Sequence, residues 1–203
     1  MVQYTFVAPT KSGTSALQQY FSDYPDHFNR NGHINLCTNY NNPVIVVRDV
    51  ASRFLSMYKY WKNGSYLPPF QRTDEWKEKY KDFSLRNFIH YLKDKNPELY
   101  NEFTWDQHFA ETVAWINGTD YKNIVVVRYE TDLNDKIQAL LTALEIPNKN
   151  VALEKLNVSI DESSCDAELE SEDVQLFIQE YFKNDLAFIK TINEHPESFK
   201  MVI

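Results

Sequence analysis

The chain has 203 residues, a formal net charge of -8, 43% hydrophobic and 15% aromatic residues. That apolar content supports a folded core and excludes global disorder. The acidic balance argues against a nucleic-acid partner, whose phosphates need a basic face. It leaves room for a small anionic ligand, which a few placed cations and backbone N–H groups can hold.

The first predicted element is a β-rich run from Gln3 to Ala8. It has neither the basic start nor the long apolar centre of a secretory signal. Pro9-Thr10-Lys11-Ser12-Gly13-Thr14 follows, and then a helical stretch, Ser15 to Tyr24, with Leu17, Tyr20 and Phe21 on one face. Residues 25–32 read as loop and His33 to Cys37 as a short second strand. Pro43 to Val47 is a continuous apolar run suited to a strand buried on both faces of a parallel sheet. Asp49 or Ser52 can cap a helix that reaches Trp61.

Asn63 to Asp82 reads as a long surface loop, and Phe83 to Leu92 and Gln107 to Ile116 as helices. Asn123 to Val127 is a second buried strand, followed by a helix from Leu133 to Leu144 that Ile146-Pro147 ends. The acidic stretch Asp161 to Asp173 reads as exposed loop, and Glu172 to Ile192 as one long amphipathic helix. Strands alternating with helices predict an α/β fold with a central parallel sheet of about four to five strands. The length fits a single domain over residues 1–203. No run reaches the ~18 apolar residues of a membrane span. Cys37 and Cys165 lie outside any CxxC or Cys/His cluster and predict two thiols without a metal. Sequons at Asn63, Asn117 and Asn157 carry little meaning in a chain this rich in asparagine.

Between the first strand and helix, Gly13 permits close approach of the backbone to a ligand. The amides of Gly13 to Ala16 can point at an anion, with the hydroxyls of Ser12, Thr14 and Ser15 and the charge of Lys11 beside them. A nucleotide-kinase loop places its lysine after the second glycine. Here Lys11 precedes Gly13 and no earlier glycine exists, so the order is wrong for an ATP site. A second constellation ends the strand at Arg48-Asp49 and places Ser56 eight residues beyond Arg48 in the next helix. Arg48 would stand at the C-terminal edge of a strand, where open α/β sheets bind ligands, and could share a phosphate with Ser56.

The Lys11-to-Ser15 run resembles the 5′-phosphosulfate loop of the sulfotransferase family, and the segment from Val44 to Tyr58 resembles that family's 3′-phosphate segment. The element Asn123 to Leu133 resembles a third family segment, whose aromatic, here Tyr129, lies near the adenine. The stretches 101–116 and 176–188 look most like the carbohydrate-type branch. The resemblance implies a P-loop-like fold and a 3′-phosphoadenosine 5′-phosphosulfate donor held by Lys11, Ser12, Gly13, Thr14, Ser15, Ala16, Arg48, Ser56 and Tyr129. It also implies a small-molecule or glycan acceptor, while the charge, the hydropathy and the lack of a ligand cluster predict no nucleic acid, no membrane and no metal. The chain departs from the family in two ways. It carries no N-terminal anchor of the Golgi type, which suggests a cytoplasmic setting. It has no Arg-Lys-Gly segment near the C-terminus, and Lys155 is a weak substitute for it.

Transfer to a hydroxyl benefits from a general base. His33 is the first candidate because the resemblance places a base in that region. His108 is the second, with contact to the acceptor as its other role. Lys11 would stabilise the leaving oxygen. Two rival readings are a nucleotide-binding module without transfer activity and a small-molecule kinase.

Overall fold

The structure is a computed structural model that describes residues 3–7, 9, 12–30, 40–62, 74–95, 110–129, 133–149, 153 and 165–203. The chain forms two compact units. The first comprises residues 1–49, 111–157 and 184–203, and the second residues 50–110 and 158–183.

The first unit is built on a five-stranded sheet of order β2-β1-β3-β4-β5, parallel throughout. Its strands are β1 (Tyr4–Val7), β2 (Phe28–Arg30), β3 (Pro43–Arg48), β4 (Val125–Tyr129) and β5 (Met201–Val202). Alternation along these strands divides the side chains between two cores. Tyr4, Phe6, Val44, Val46, Val125 and Val127 face α1 (Thr14–Phe21) and α5 (Leu133–Ala143), meeting Leu17, Tyr20, Phe21, Ile137 and Leu140. Val7, Ile45, Val47 and Val126 face the other way, against Trp115, Ile116, Phe188 and Ile192. Helices on both faces explain why β3 and β4 are runs of valine and isoleucine rather than alternating patterns. The α/β expectation, with a parallel sheet of four to five strands, is met.

The second unit is helical among the described residues: α2 (Val50–Lys62), α3 (Asp74–Tyr80), α4 (Leu85–Lys95), α6 (Asp166–Leu169) and α7 (Glu172–Tyr181). Its centre is aromatic. Phe54 lies 5.7 Å from Phe88, 5.6 Å from Phe177 and 6.0 Å from Phe182, ring centre to ring centre. Glu168 accepts the Leu85 amide at 2.7 Å, which caps α4 from a distant segment. No described helix is long and apolar enough to cross a membrane.

Four expectations are corrected, and a fifth lies outside the described residues. Residues 25–32 are not all loop, since Phe28–Arg30 forms β2, fixed by Phe28 packing on Phe21 at 4.3 Å. The predicted second strand, His33 to Cys37, lies outside the described residues. The loop predicted over Asn63 to Asp82 contains α3, whose first turn carries Asp74 and Glu75 at the positive end of the helix dipole. The acidic stretch before Asp173 contains α6, begins its described part at the buried Cys165, and uses Glu168 as the cap just described. The long C-terminal helix is two helices, α7 and α8 (Lys183–Glu194). Phe182 leaves helical geometry at φ -107°, ψ 30° with its ring buried, and α8 is capped afresh by Glu111.

That cap is half of a reciprocal clasp that also reshapes the predicted helix over Gln107 to Ile116. Its described part is a 3₁₀ helix, Thr112–Ile116. Asp185, 1% exposed, accepts the Thr112 and Val113 amides at 2.8 and 2.9 Å. Glu111 in turn accepts the Asn184 and Asp185 amides at 2.9 and 3.3 Å, and the Asn184 side-chain amide at 2.6 Å. Each carboxylate therefore satisfies the orphan N–H groups at the start of the other's helix.

Candidate functional site

In a sheet of order 2-1-3-4-5 the strand order reverses between β1 and β3, and ligands bind beyond the carboxyl ends of the strands at that point. Two of the sequence constellations end there. β1 leads into the turn at Ser12-Gly13, and β3 ends at Arg48.

Gly13 has φ 73° and ψ 17°, in the left-handed region that favours glycine. A Cβ there would lie 2.9 Å from Cε2 of Tyr129 and 3.3 Å from Cδ2 of Leu133, so the position also excludes a side chain sterically. The helical ladder of α1 begins with the Leu17 amide bonded to the Gly13 carbonyl at 3.0 Å. Amides ahead of Leu17 precede that ladder and form the first turn, at the positive end of α1. The Ser12 side chain is 1% exposed, and its Oγ has no hydrogen-bond partner among the described residues. Native proteins rarely leave a buried hydroxyl unsatisfied. An orphan at the head of a strand-to-helix turn fits a site completed by an anionic ligand.

Arg48 and Tyr129 are paired across β3 and β4. Both share the strand parity of Val44, Val46, Val125 and Val127, so both lie on the face that α1 covers. The Arg48 guanidinium carbon sits 5.0 Å from the centre of the Tyr129 ring, within cation–π range. Burial pushes the Arg48 pKa down from its ordinary value, and the neighbouring Tyr129 and Asp49 act in the opposite sense. A guanidinium remains cationic under such a shift. Ser12, Gly13, Arg48 and Tyr129 thus belong to one edge of one unit.

Other predicted site residues stand elsewhere. Ser15 is exposed and Ala16 half-buried in the first turn of α1. Thr14 opens that helix. Ser56 belongs to the second unit, in the second turn of α2 and half-buried. Lys11, His33 and His108 lie outside the described residues. Sequence reasoning placed Tyr129 only by resemblance. Its contacts with Gly13 and Arg48 follow from strand parity, a signal present in the sequence but not used there.

A cavity of about 400 Å³ lies apart from this edge, walled by Glu111, Asn117, Thr119, Tyr121 and Asn184 among others. Its lining contains no lysine or arginine among the described residues, and the Glu111 carboxylate is occupied by the clasp. An anionic ligand is better served at Ser12, Gly13 and Arg48.

Among known families, the model described as Sulfotransferase family matches residues 6–194. No curated protein and no solved structure matches the chain.

Proposed function

Because the chain belongs to the sulfotransferase family and is a sulfotransferase, we propose that its donor is 3′-phosphoadenosine 5′-phosphosulfate and its acceptor a carbohydrate hydroxyl. The observation that carries the donor reading is the meeting of the Ser12-Gly13 turn with Tyr129 and Arg48 at the strand-order switch. It supplies an orphaned buried hydroxyl, a helix N-terminus and a cation, three features suited to a doubly phosphorylated nucleotide. The acceptor class rests on the branch resemblance of residues 101–116 and 176–188, and a single catalytic domain over 1–203 rests on the chain's length. The cytoplasmic setting rests on the sequence alone.

In this reading Ser12 to Ala16 cradle the 5′-phosphosulfate, with their hydroxyls and first-turn amides bonded to its oxygens. Arg48 takes the 3′-phosphate, together with Ser56 by the spacing of the motif. The acceptor oxygen attacks sulfur in line as the bond from sulfur to the bridging oxygen breaks, releasing adenosine 3′,5′-bisphosphate. His33 accepts the acceptor's proton, Lys11 neutralises charge growing on the bridging oxygen, and His108 orients the acceptor. As in phosphoryl transfer, the protein's contribution is positioning and charge stabilisation.

Calorimetric titration tests the donor. Adenosine 3′,5′-bisphosphate should bind roughly 10- to 150-fold more tightly than AMP, the value of one set of charge-assisted contacts, and more tightly than ATP. Equal affinity for the bisphosphate and AMP would overturn the assignment. Incubation with the phosphosulfate donor and a panel of neutral sugars then tests the acceptor class by mass increase of the product.

A further inference from the structure

We propose that Tyr129 is a positioning residue, whose ring holds the Arg48 guanidinium in place for the donor's 3′-phosphate and is itself held by the absence of a side chain at Gly13. This deepens the donor reading above and rests on it.

Three observations support the inference. The β3–β4 register sets Arg48 and Tyr129 side by side on the same face. The guanidinium lies over the ring at 5.0 Å, so that face of the ring is not open to a nucleobase. The edge of the ring is seated against Gly13 so closely that a Cβ would fall 2.9 Å from Cε2, with Leu133 closing the same space at 3.3 Å. An arginine side chain is long and loses much rotamer freedom when it binds an anion. A ring that is fixed on one edge and carries the guanidinium on one face removes that freedom before the ligand arrives, which raises affinity without adding a contact to the ligand. The expected selectivity follows from the connection. Loosening the ring acts through Arg48, so it weakens binding of nucleotides that bear a 3′-phosphate and spares those that lack it.

The test is calorimetric titration of the full chain with adenosine 3′,5′-bisphosphate and with AMP, after thermal melts confirm folding. Tyr129→Phe keeps the ring and should leave both affinities within about twofold. Tyr129→Leu, and Tyr129→Met as the more adaptable replacement, should lower bisphosphate affinity by about 2- to 30-fold, the range of a cation–π contact, and leave AMP within about threefold. In an Arg48→Met background, Tyr129→Leu should have no further effect on the bisphosphate. Equal losses for the two nucleotides would mean that the ring touches the shared adenosine or only packs, and would overturn the proposal. So would an undiminished Tyr129→Leu effect in the Arg48→Met background. A wild-type protein that does not discriminate the bisphosphate from AMP would instead overturn the donor reading itself. A discriminating wild type with insensitive Tyr129 variants overturns this inference alone.

Discussion

Gly13→Ala attacks the site at its most constrained point. The backbone there has φ 73°, where an L-residue pays about 1–2 kcal/mol. The new methyl would lie 2.9 Å from Tyr129 Cε2, about 0.5 Å inside the 3.4 Å at which ordinary contact begins, so the ring must move. Overpacking of this kind costs about 1–3 kcal/mol. Alanine also restricts the unfolded chain, which returns about 0.4–1 kcal/mol. A net loss of about 3 kcal/mol lowers the melting temperature of a chain this size by about 6–12 °C. Gly118→Ala is the control: its φ of 81° carries the same backbone cost, and it sits in an exposed turn. Thermal unfolding by circular dichroism reads both variants, and calorimetry reads the ratio of bisphosphate to AMP affinity. Gly13→Ala should melt lower than Gly118→Ala and lose part of the bisphosphate preference, because the displaced ring carries Arg48. Equal melting shifts with an unchanged nucleotide ratio would refute the reasoning.

Four further outcomes are expected. Lys11→Ala should lower turnover by about 10²–10³ with the fold intact, measured as transfer rate at saturating donor; near-normal turnover would remove the lysine from the mechanism. His33→Ala should cost about 10²–10⁴ in rate and flatten the rise of activity with pH, since a base must be neutral to accept a proton, whereas His108→Ala should chiefly raise the acceptor KM; the opposite pattern would exchange their roles. Asp185→Ala strands the Thr112 and Val113 amides. Each buried unpaired group costs about 1–3 kcal/mol, so the urea midpoint should fall with the slope unchanged. Burial first, and the Tyr24 hydroxyl second, push Tyr20 from 10.0 up to about 12. The folded state therefore holds this proton more tightly than the unfolded one. The stability it contributes is whole below pH 10 and is lost as pH rises toward 12, and Tyr20→Phe should flatten that alkaline fall in stability.

The parts of the fold legible in sequence were those where burial leaves a continuous signal. Pro43 to Val47 and Asn123 to Val127 read as strands because both faces of the sheet are covered, so no polar residue interrupts them. β2 and β5 were not legible. They are three and two residues long at the sheet edges, and what fixes them is the packing of Phe28 on Phe21 and the backbone pairing of β5 with β4. The break between α7 and α8 was hidden for a related reason. Apolar periodicity runs on through Phe182, while the cap that restarts the helix comes from Glu111, more than seventy residues earlier. Asp166–Leu169 was hidden by an acidic setting that read as exposed loop, and Asp74–Tyr80 by a surrounding stretch rich in proline, lysine and aromatic residues.

The site was legible as two separate motifs, and the link between them was not. The order of Lys11 and Gly13 and the spacing from Arg48 to Ser56 are local patterns, which a sequence displays directly. That Gly13 must be a glycine because of Tyr129 is a long-range fact spanning 116 positions. It could still have been reached by parity. Val44, Val46 and Arg48 alternate on β3 as Val125, Val127 and Tyr129 do on β4. If the valines at the two strand centres share a face, the residues two steps on must share it too. The helix that follows β1 has to cover one of the two faces. The residue that starts that helix must then approach whatever ends the strands beneath it, and a large ring at Tyr129 leaves room there only for hydrogen. The requirement for glycine at position 13 thus has two independent causes, the left-handed backbone and the ring. Substitutions at Tyr129 relieve only the second.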